Sequence, residues 1–466
     1  MSKRFLSLVL VATFAMLLNL STAQTTNKYA ETSSITQYRE AAERGDAKAQ
    51  FYLGNCYYIG EGVTQDYTQA VYWYRKSAEQ GSAYSQASLS ACYHSGLGVI
   101  QDYSQAVYWA SKAVKQDYDF AQYLLGIYYY NGQGVAQSYP QAVYWYRKAA
   151  EQGYANAQYS LGFCYYHGYG VAQDYEQAVY WYQKAAEQGN ENAQSDLGVC
   201  YFNGHGVVQD YKQAVYWYRK AAEREISVAQ YNLGVCYYNG VGVSQDYSQA
   251  VYWSRKAAEK GLAGGQNCLG QCYYNGTGVA QDYTQAVYWY RKAAEQGNAS
   301  AQYNLGCCYD KGVGVAQYYS QAVYWYRKAA EQGVAVAQHD LGVCYLFGNG
   351  VTQSYEQAAK WFCMAAEQGL ADAQYNLGVC YYLGKGIAQN SSKAFYWWRK
   401  AADQGNEDAK NALTTYYKDN QRAYEKNDSP MTQNRDAVER GNDNAKKALD
   451  SYKFRTKLKK YDYKVR

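Results

Sequence analysis

Proline is almost absent from this 466-residue chain, with Pro140 and Pro430 the two present. A proline inside a helix costs about 3 kcal/mol, so its scarcity leaves long stretches free to be helical. Histidine is scarce as well: His94, His167, His205 and His339 stand at unrelated spacings. They form none of the ligand patterns of a zinc site, so neither a metal nor a cofactor is expected. Hydrolase motifs are missing too. No serine has a lysine three residues on, and Gly-x-Ser-x-Gly and His-Glu-x-x-His do not occur. The formal charge is only +5, and the interior of the chain carries no basic stripe, which argues against nucleic acid as a partner. A long apolar run occurs once, at Phe5 to Leu20.

What is abundant is tyrosine, with 60 residues, and glycine, with 41. Both recur with a fixed period. The stretch Ala229 to Gly264 reads AQYNLGVCYYNGVGVSQDYSQAVYWSRKAAEKGLAG, and the same phrase begins at Ala49, Ser85, Ala121, Ala157, Ala193, Gly265, Ala301, Ala337 and Ala373. A strict period in this range marks stacked supersecondary units. Within the unit, Ala229, Leu233, Gly234, Cys236 and Tyr237 lie on one face of a first helix. Gly234 and its equivalents point to the close approach of a neighbouring helix. Asn239-Gly240-Val241-Gly242 breaks that helix. Asp246 with Gln249 fits a capping box at the start of a second helix, repeated at Asp66/Gln69, Asp102/Gln105, Asp174/Gln177, Asp210/Gln213 and Asp282/Gln285. Ala250, Trp253, Ala257 and Ala258 are the expected buried stripe of that helix, and Gly261 its end. Asp117 and Glu225 replace the terminal glycine in two units; Asp tolerates the left-handed region fairly well, whereas Glu225 is expected to carry strain or to alter the turn locally.

The pattern Ala…Leu-Gly…Tyr…Gly-x-Gly-Val…Asp…Ala…Trp-Tyr…Lys-Ala-Ala…Gly resembles the Sel1-like repeat, a relative of the tetratricopeptide repeat, from about Tyr38 to Leu449. The resemblance implies an all-α solenoid, a right-handed superhelix of about ten 36-residue helix–turn–helix repeats. It implies a role as adaptor or scaffold and no chemistry. Some cysteine-rich proteins of this kind have been linked to β-lactam hydrolysis, so an exported hydrolase is the alternative reading, against which the missing motifs count.

The ends are read separately. Residues 1–23 have a signal peptide's charged start (Lys3, Arg4), short apolar run and small-residue site before Gln24; the expected location is therefore secreted or periplasmic, with no membrane span after cleavage. Residues 24–35 read as a polar linker, 36–48 as an N-terminal half repeat, 49–408 as ten full repeats and 409–450 as degenerate capping repeats, where Lys418-Asp419-Asn420-Gln421 takes the place of the glycine turn. Residues 451–466 form a basic tail whose seven cations face Asp462 alone; it is a candidate contact for an anionic surface.

Twelve cysteines in an exported chain suggest disulfides, but nine of them occupy one equivalent position on the first helix (Cys56, Cys92, Cys164, Cys200, Cys236, Cys272, Cys308, Cys344, Cys380). Equivalent helices should stand about 8–10 Å apart, beyond the ~7 Å Cα limit for bridging, so mostly free buried thiols are expected. Cys344 with Cys363 is the one candidate pair, and Cys268 and Cys307 have no evident role.

The functional expectation follows from tetratricopeptide-like geometry, in which the outward face of each first helix lines the concave side. That face carries Tyr123, Ile127, Tyr130 and Asn131; Tyr159, Phe163, Tyr166 and His167; and Tyr231, Val235, Tyr238 and Asn239, with Tyr303, Tyr375 and Tyr382 at equivalent places. Tyrosine and asparagine among small apolar residues resemble a paratope. The candidate partner-binding residues are thus Tyr123, Tyr130, Tyr159, Tyr166, Tyr231, Tyr238, Tyr303, Tyr375 and Tyr382, and the expected ligand is a peptide or protein segment.

Overall fold

The computed structural model describes residues 28–425, with side chains for 35–417. The segments read as signal peptide and basic tail, and most of the stretch read as capping repeats, lie outside these residues. Among the described residues there are 22 α-helices, one short 3-10 turn and no strand. The architecture is an all-α repeat solenoid of helix pairs. Its contacts divide into two units, the first reaching Cys236 and including Gly240–Ser244, the second holding Tyr237–Asn239 and continuing from Gln245.

The first helix of each pair, such as Ala155–His167, ends on a glycine in the left-handed region; Gly168 has φ 72° and donates its N–H to the carbonyl of Cys164. The second glycine of each Gly-x-Gly has a different task. At Gly98, Gly134 and Gly206 a Cβ would run into the backbone of Tyr67, Tyr103 and Tyr175, the opening residues of the preceding repeat's second helix. The loop is therefore also a contact between repeats. A glutamine further along ties it down: Gln101, Gln173, Gln317 and Gln389 donate to the carbonyls of His94, Tyr166, Asp310 and Tyr382 at 2.6–2.8 Å. The same bond recurs in the other six repeats.

The second helix opens as half a capping box. Asp282 accepts the Gln285 N–H at 3.0 Å, and Asp66, Asp102, Asp174, Asp210 and Asp246 do the same for their partners. The reciprocal bond is not made. The Asp282 N–H is taken by the carbonyl of Tyr273 at 3.0 Å, and that of Asp174 by Tyr165 at 2.9 Å, so the glutamine amide has nothing to reach back for.

The core of a pair is a ring lying on a glycine. A Cβ on Gly162, Gly198 or Gly306 would stand 2.6–2.7 Å from the ring of Tyr182, Tyr218 or Tyr326. These tyrosines are 1–3% exposed, whereas Trp145, Trp181, Trp217, Trp289 and Trp325 are half-buried. In these five pairs the residue after the tryptophan is the inner member of the stripe, whereas Trp73, Trp109 and Trp253 are themselves buried, Trp253 as expected. One pair inverts the sizes. Ala110 stands where the ring would be, Ser90 replaces the glycine, and Tyr128, at the usual cysteine position of the next repeat, reaches Ser90 Oγ at 2.8 Å.

Successive repeats are joined by buried glutamines. Gln158 donates to the Ala150 carbonyl at 3.2 Å and accepts from Gln188 at 2.8 Å, and Gln302 repeats both bonds with Ala294 and Gln332. Arg224 stands where Gln194 needs such a donor, and Gln194 Oε1 is left without a partner.

The ends differ from the sequence reading. A helix, Lys28–Glu43, begins inside the stretch read as a linker, and Ile35 is 7% exposed because it lies against Gly62. At the other end Glu407–Glu425 runs as one helix through Lys418-Asp419-Asn420-Gln421. With no glycine there, nothing obliges the chain to turn. All twelve cysteines are free. Burial pushes the thiols of Cys92, Cys164 and Cys200 up to about 12, so they are poor nucleophiles.

Candidate functional site

The outward positions of the first helices come in neighbouring pairs across repeats. Tyr159 donates to Asp196 Oδ2 at 3.2 Å, and Tyr303 to Asp340 Oδ2 at 3.1 Å. Asn304 donates to Asn267 at 3.1 Å, and Asn376 pairs with His339 Nε2 at 3.0 Å. Each link spans 37 residues, from one position of a repeat to the next position of its neighbour. The inner row is thus partly a set of struts between repeats, and the hydroxyls of Tyr159 and Tyr303 are already engaged.

The nine candidate tyrosines divide accordingly. Tyr123 is 4% exposed and Tyr375 5%, so neither presents a surface. Tyr123 packs with its ring centroid 5.1 Å from that of Tyr154, an aromatic loop residue that covers it; Tyr375 belongs to the core with Val379 and Trp398. Ile127 is buried for the same reason, at 1%. Tyr130, Tyr159, Tyr166, Tyr231, Tyr238, Tyr303 and Tyr382 are half-buried. Tyr130 and Tyr238 lie edge-on to Tyr139 and Tyr247, and Tyr382 packs on Trp398 at 5.2 Å.

Two of the nine share an opening. Tyr159 and Tyr166, with Phe163 and His167 from the same helix, line a groove of about 510 Å³. Its other wall is Asn192, Ser195, Asp196 and Val199, and Glu225-Ile226-Ser227-Val228 borders it. The helix Ala155–His167 presents residues 159, 163, 166 and 167 on one face because they stand three and four apart. Glu225 takes φ 69° in place of the usual glycine, as expected, and this turn sets the border. Inside the groove, Tyr159 stacks on Tyr182 at 5.8 Å and 29°, and Tyr166 meets His205 Nδ1 at 2.9 Å. Burial lifts the Asp196 carboxyl to about 6, partly opposed by the Tyr159 hydroxyl. The groove therefore offers aromatic rings on one side and a half-buried acid with neighbouring amide and hydroxyl groups on the other. It can take an apolar side chain and a hydrogen-bond donor together.

Tyr231 and Tyr238 stand outside this groove. Asn192, Asp196, Val199 and the 225–228 border were not foreseen. The signal for Asp196 was present, since asparagine fills its place at Asn232, Asn304 and Asn376. Among the described residues no cluster of three or more histidine, cysteine or acidic side chains could hold a metal, and no helix is long and apolar enough to cross a membrane.

Comparison with known proteins follows the same pattern. The Sel1 repeat matches ten segments: 47–82, 83–118, 119–154, 155–190, 192–225, 227–262, 264–298, 299–334, 335–370 and 371–406. The chain is similar to the solved structure of c5321, a protective antigen of uropathogenic Escherichia coli with an SLR fold, at 36% identity over 93% of this chain and 98% of that one, with a TM-score of 0.59. It is also similar to a Sel1 repeat protein from Oxalobacter formigenes, at 34% identity over 68% of this chain and 94% of that one, with a TM-score of 0.49. No curated protein matches it. Ten contiguous matches and a relative of this identity over nearly the whole length settle the family: the chain belongs to the Sel1 repeat proteins.

Proposed function

We propose that this protein is an exported, non-catalytic interaction scaffold that seats a peptide or protein segment in the groove between Tyr159 and Asp196. The repeat fold supports the general role, since stacked helix pairs create extended binding surfaces. The observation that carries the specific reading is the groove itself. Phe163 and Tyr166 offer stiff aromatic area, and Asp196, Asn192 and Ser195 offer hydrogen-bonding groups opposite them. Such a surface suits a segment with one apolar anchor and an adjacent donor. Export rests on residues 1–23, with cleavage before Gln24. The relative described as a protective antigen supports the same placement. The limits of the ten full repeats, 49–408, and an anionic-surface contact by the tail at 451–466 belong to this proposal.

The test is selection of binders from a random peptide library on residues 24–466, followed by titration against variants. Phe163→Ala with Tyr166→Ala should weaken selected peptides at least tenfold without loss of helical content. Unchanged affinity in that variant would move the site elsewhere.

A further inference from the structure

Two successive repeats depart from the common pattern at three places. Where most repeats carry a ring on the second helix, this chain has Ser254. The next first helix, Ala263–Asn275, opens with Gly265 instead of alanine, and Cys268 stands where Asn232, Asn304 and Asn376 stand elsewhere. Cys272 keeps the usual cysteine position. Cys268 and Cys272 are four residues apart, so their side chains share one helix face, and both are buried. Ser254 Oγ donates to Cys268 Sγ at 3.3 Å. No other repeat pairs two thiols this way; Cys307 and Cys308 are adjacent in sequence and diverge around the helix.

We propose that Cys268 and Cys272 form a two-coordinate site for copper(I). Thiolates select soft cations, copper(I) among them, and a linear ion needs only two sulfurs facing one another. The missing third ligand argues against zinc, which takes three or four protein ligands. Binding breaks two S–H bonds and forms two S–Cu bonds; both protons leave to solvent, and copper is neither oxidised nor reduced. The resulting complex carries one negative charge. The Ser254 hydroxyl is placed to donate to it, the kind of outer bond that tunes a metal site. Cys272 is fully buried, while Cys268 keeps 8% of its surface open, which gives the ion its way in. The site is independent of the peptide groove, which lies in the other unit.

The experiment is anaerobic competition of the reduced full chain with a chromophoric copper(I) chelator, with copper(I) alone as probe. One equivalent should be held at least tenfold more tightly than by Cys268→Ser or Cys272→Ser. Cys308→Ser, which removes a buried thiol elsewhere, should retain it. The double variant Ser254→Tyr/Cys268→Asn rebuilds the residue types of the other repeats and should lose it while keeping the fold. Thermal unfolding gives a second reading: copper(I) should raise the midpoint of the wild type and not that of the double variant. Equal retention of copper(I) by wild type and either cysteine variant would overturn the site.

Discussion

A glycine on one helix and a ring on its partner occupy a single space in most repeats, and the fit leaves no room for a methyl group. Gly306 lies with its would-be Cβ 2.6 Å from the Tyr326 ring. Gly306→Ala should therefore destabilise the chain. Overpacking costs about 1–3 kcal/mol, and it is opposed by roughly 1 kcal/mol of helix propensity gained. Urea unfolding should show a net loss, and in a Tyr326→Ala background, itself less stable for want of the ring, the same Gly306→Ala change should no longer destabilise. Asp196 gives a residue-scale prediction of another kind. Burial raises its folded pKa to about 6, above the unfolded value of about 3.9. The neutral acid is the form the fold prefers, so its contribution is full below about pH 4 and is lost as pH rises through 6. Wild type should lose stability relative to Asp196→Asn across that window; parallel thermal-unfolding profiles for the two proteins would refute the assignment.

At the scale of the element, the loop and cap chemistry separates residues that sequence patterns group together. Asp282 caps its helix while Gln285 makes no return bond, since Tyr273 holds the Asp282 N–H. Asp282→Ala should cost about 0.5–2 kcal/mol, and Gln285→Ala should be close to neutral by chemical denaturation. A full box would make the two substitutions comparable. The helices, their turns and the terminal glycines were legible because each has a local cause: period, cap or positive φ. What was not legible depends on the neighbouring repeat. The Gln302 bond to Ala294 and the second glycine of each loop answer to groups in the preceding repeat. Tyrosine burial fails for the same reason. Tyr123 and Tyr159 share a repeat position, but Tyr123 lies 4% exposed under Tyr154, and the equivalent residue beside Tyr159 is Asn190. One loop residue decides whether the position is core or surface.

At the scale of the molecule, a repeat array offers the same surface many times, and function depends on where the repetition is interrupted. Asp196 in place of asparagine, Glu225 in place of glycine and Arg224 in place of glutamine fall within one stretch, and the groove opens there. We propose that a protein segment binds in this groove. Amide hydrogen exchange of the intact chain, with and without a library-selected peptide, tests it most directly. Protection should concentrate on Ala155–His167 and Glu191–Asn203, the helices that form the two walls. Protection confined to second helices such as Tyr283–Glu295, with both walls unchanged, would contradict it.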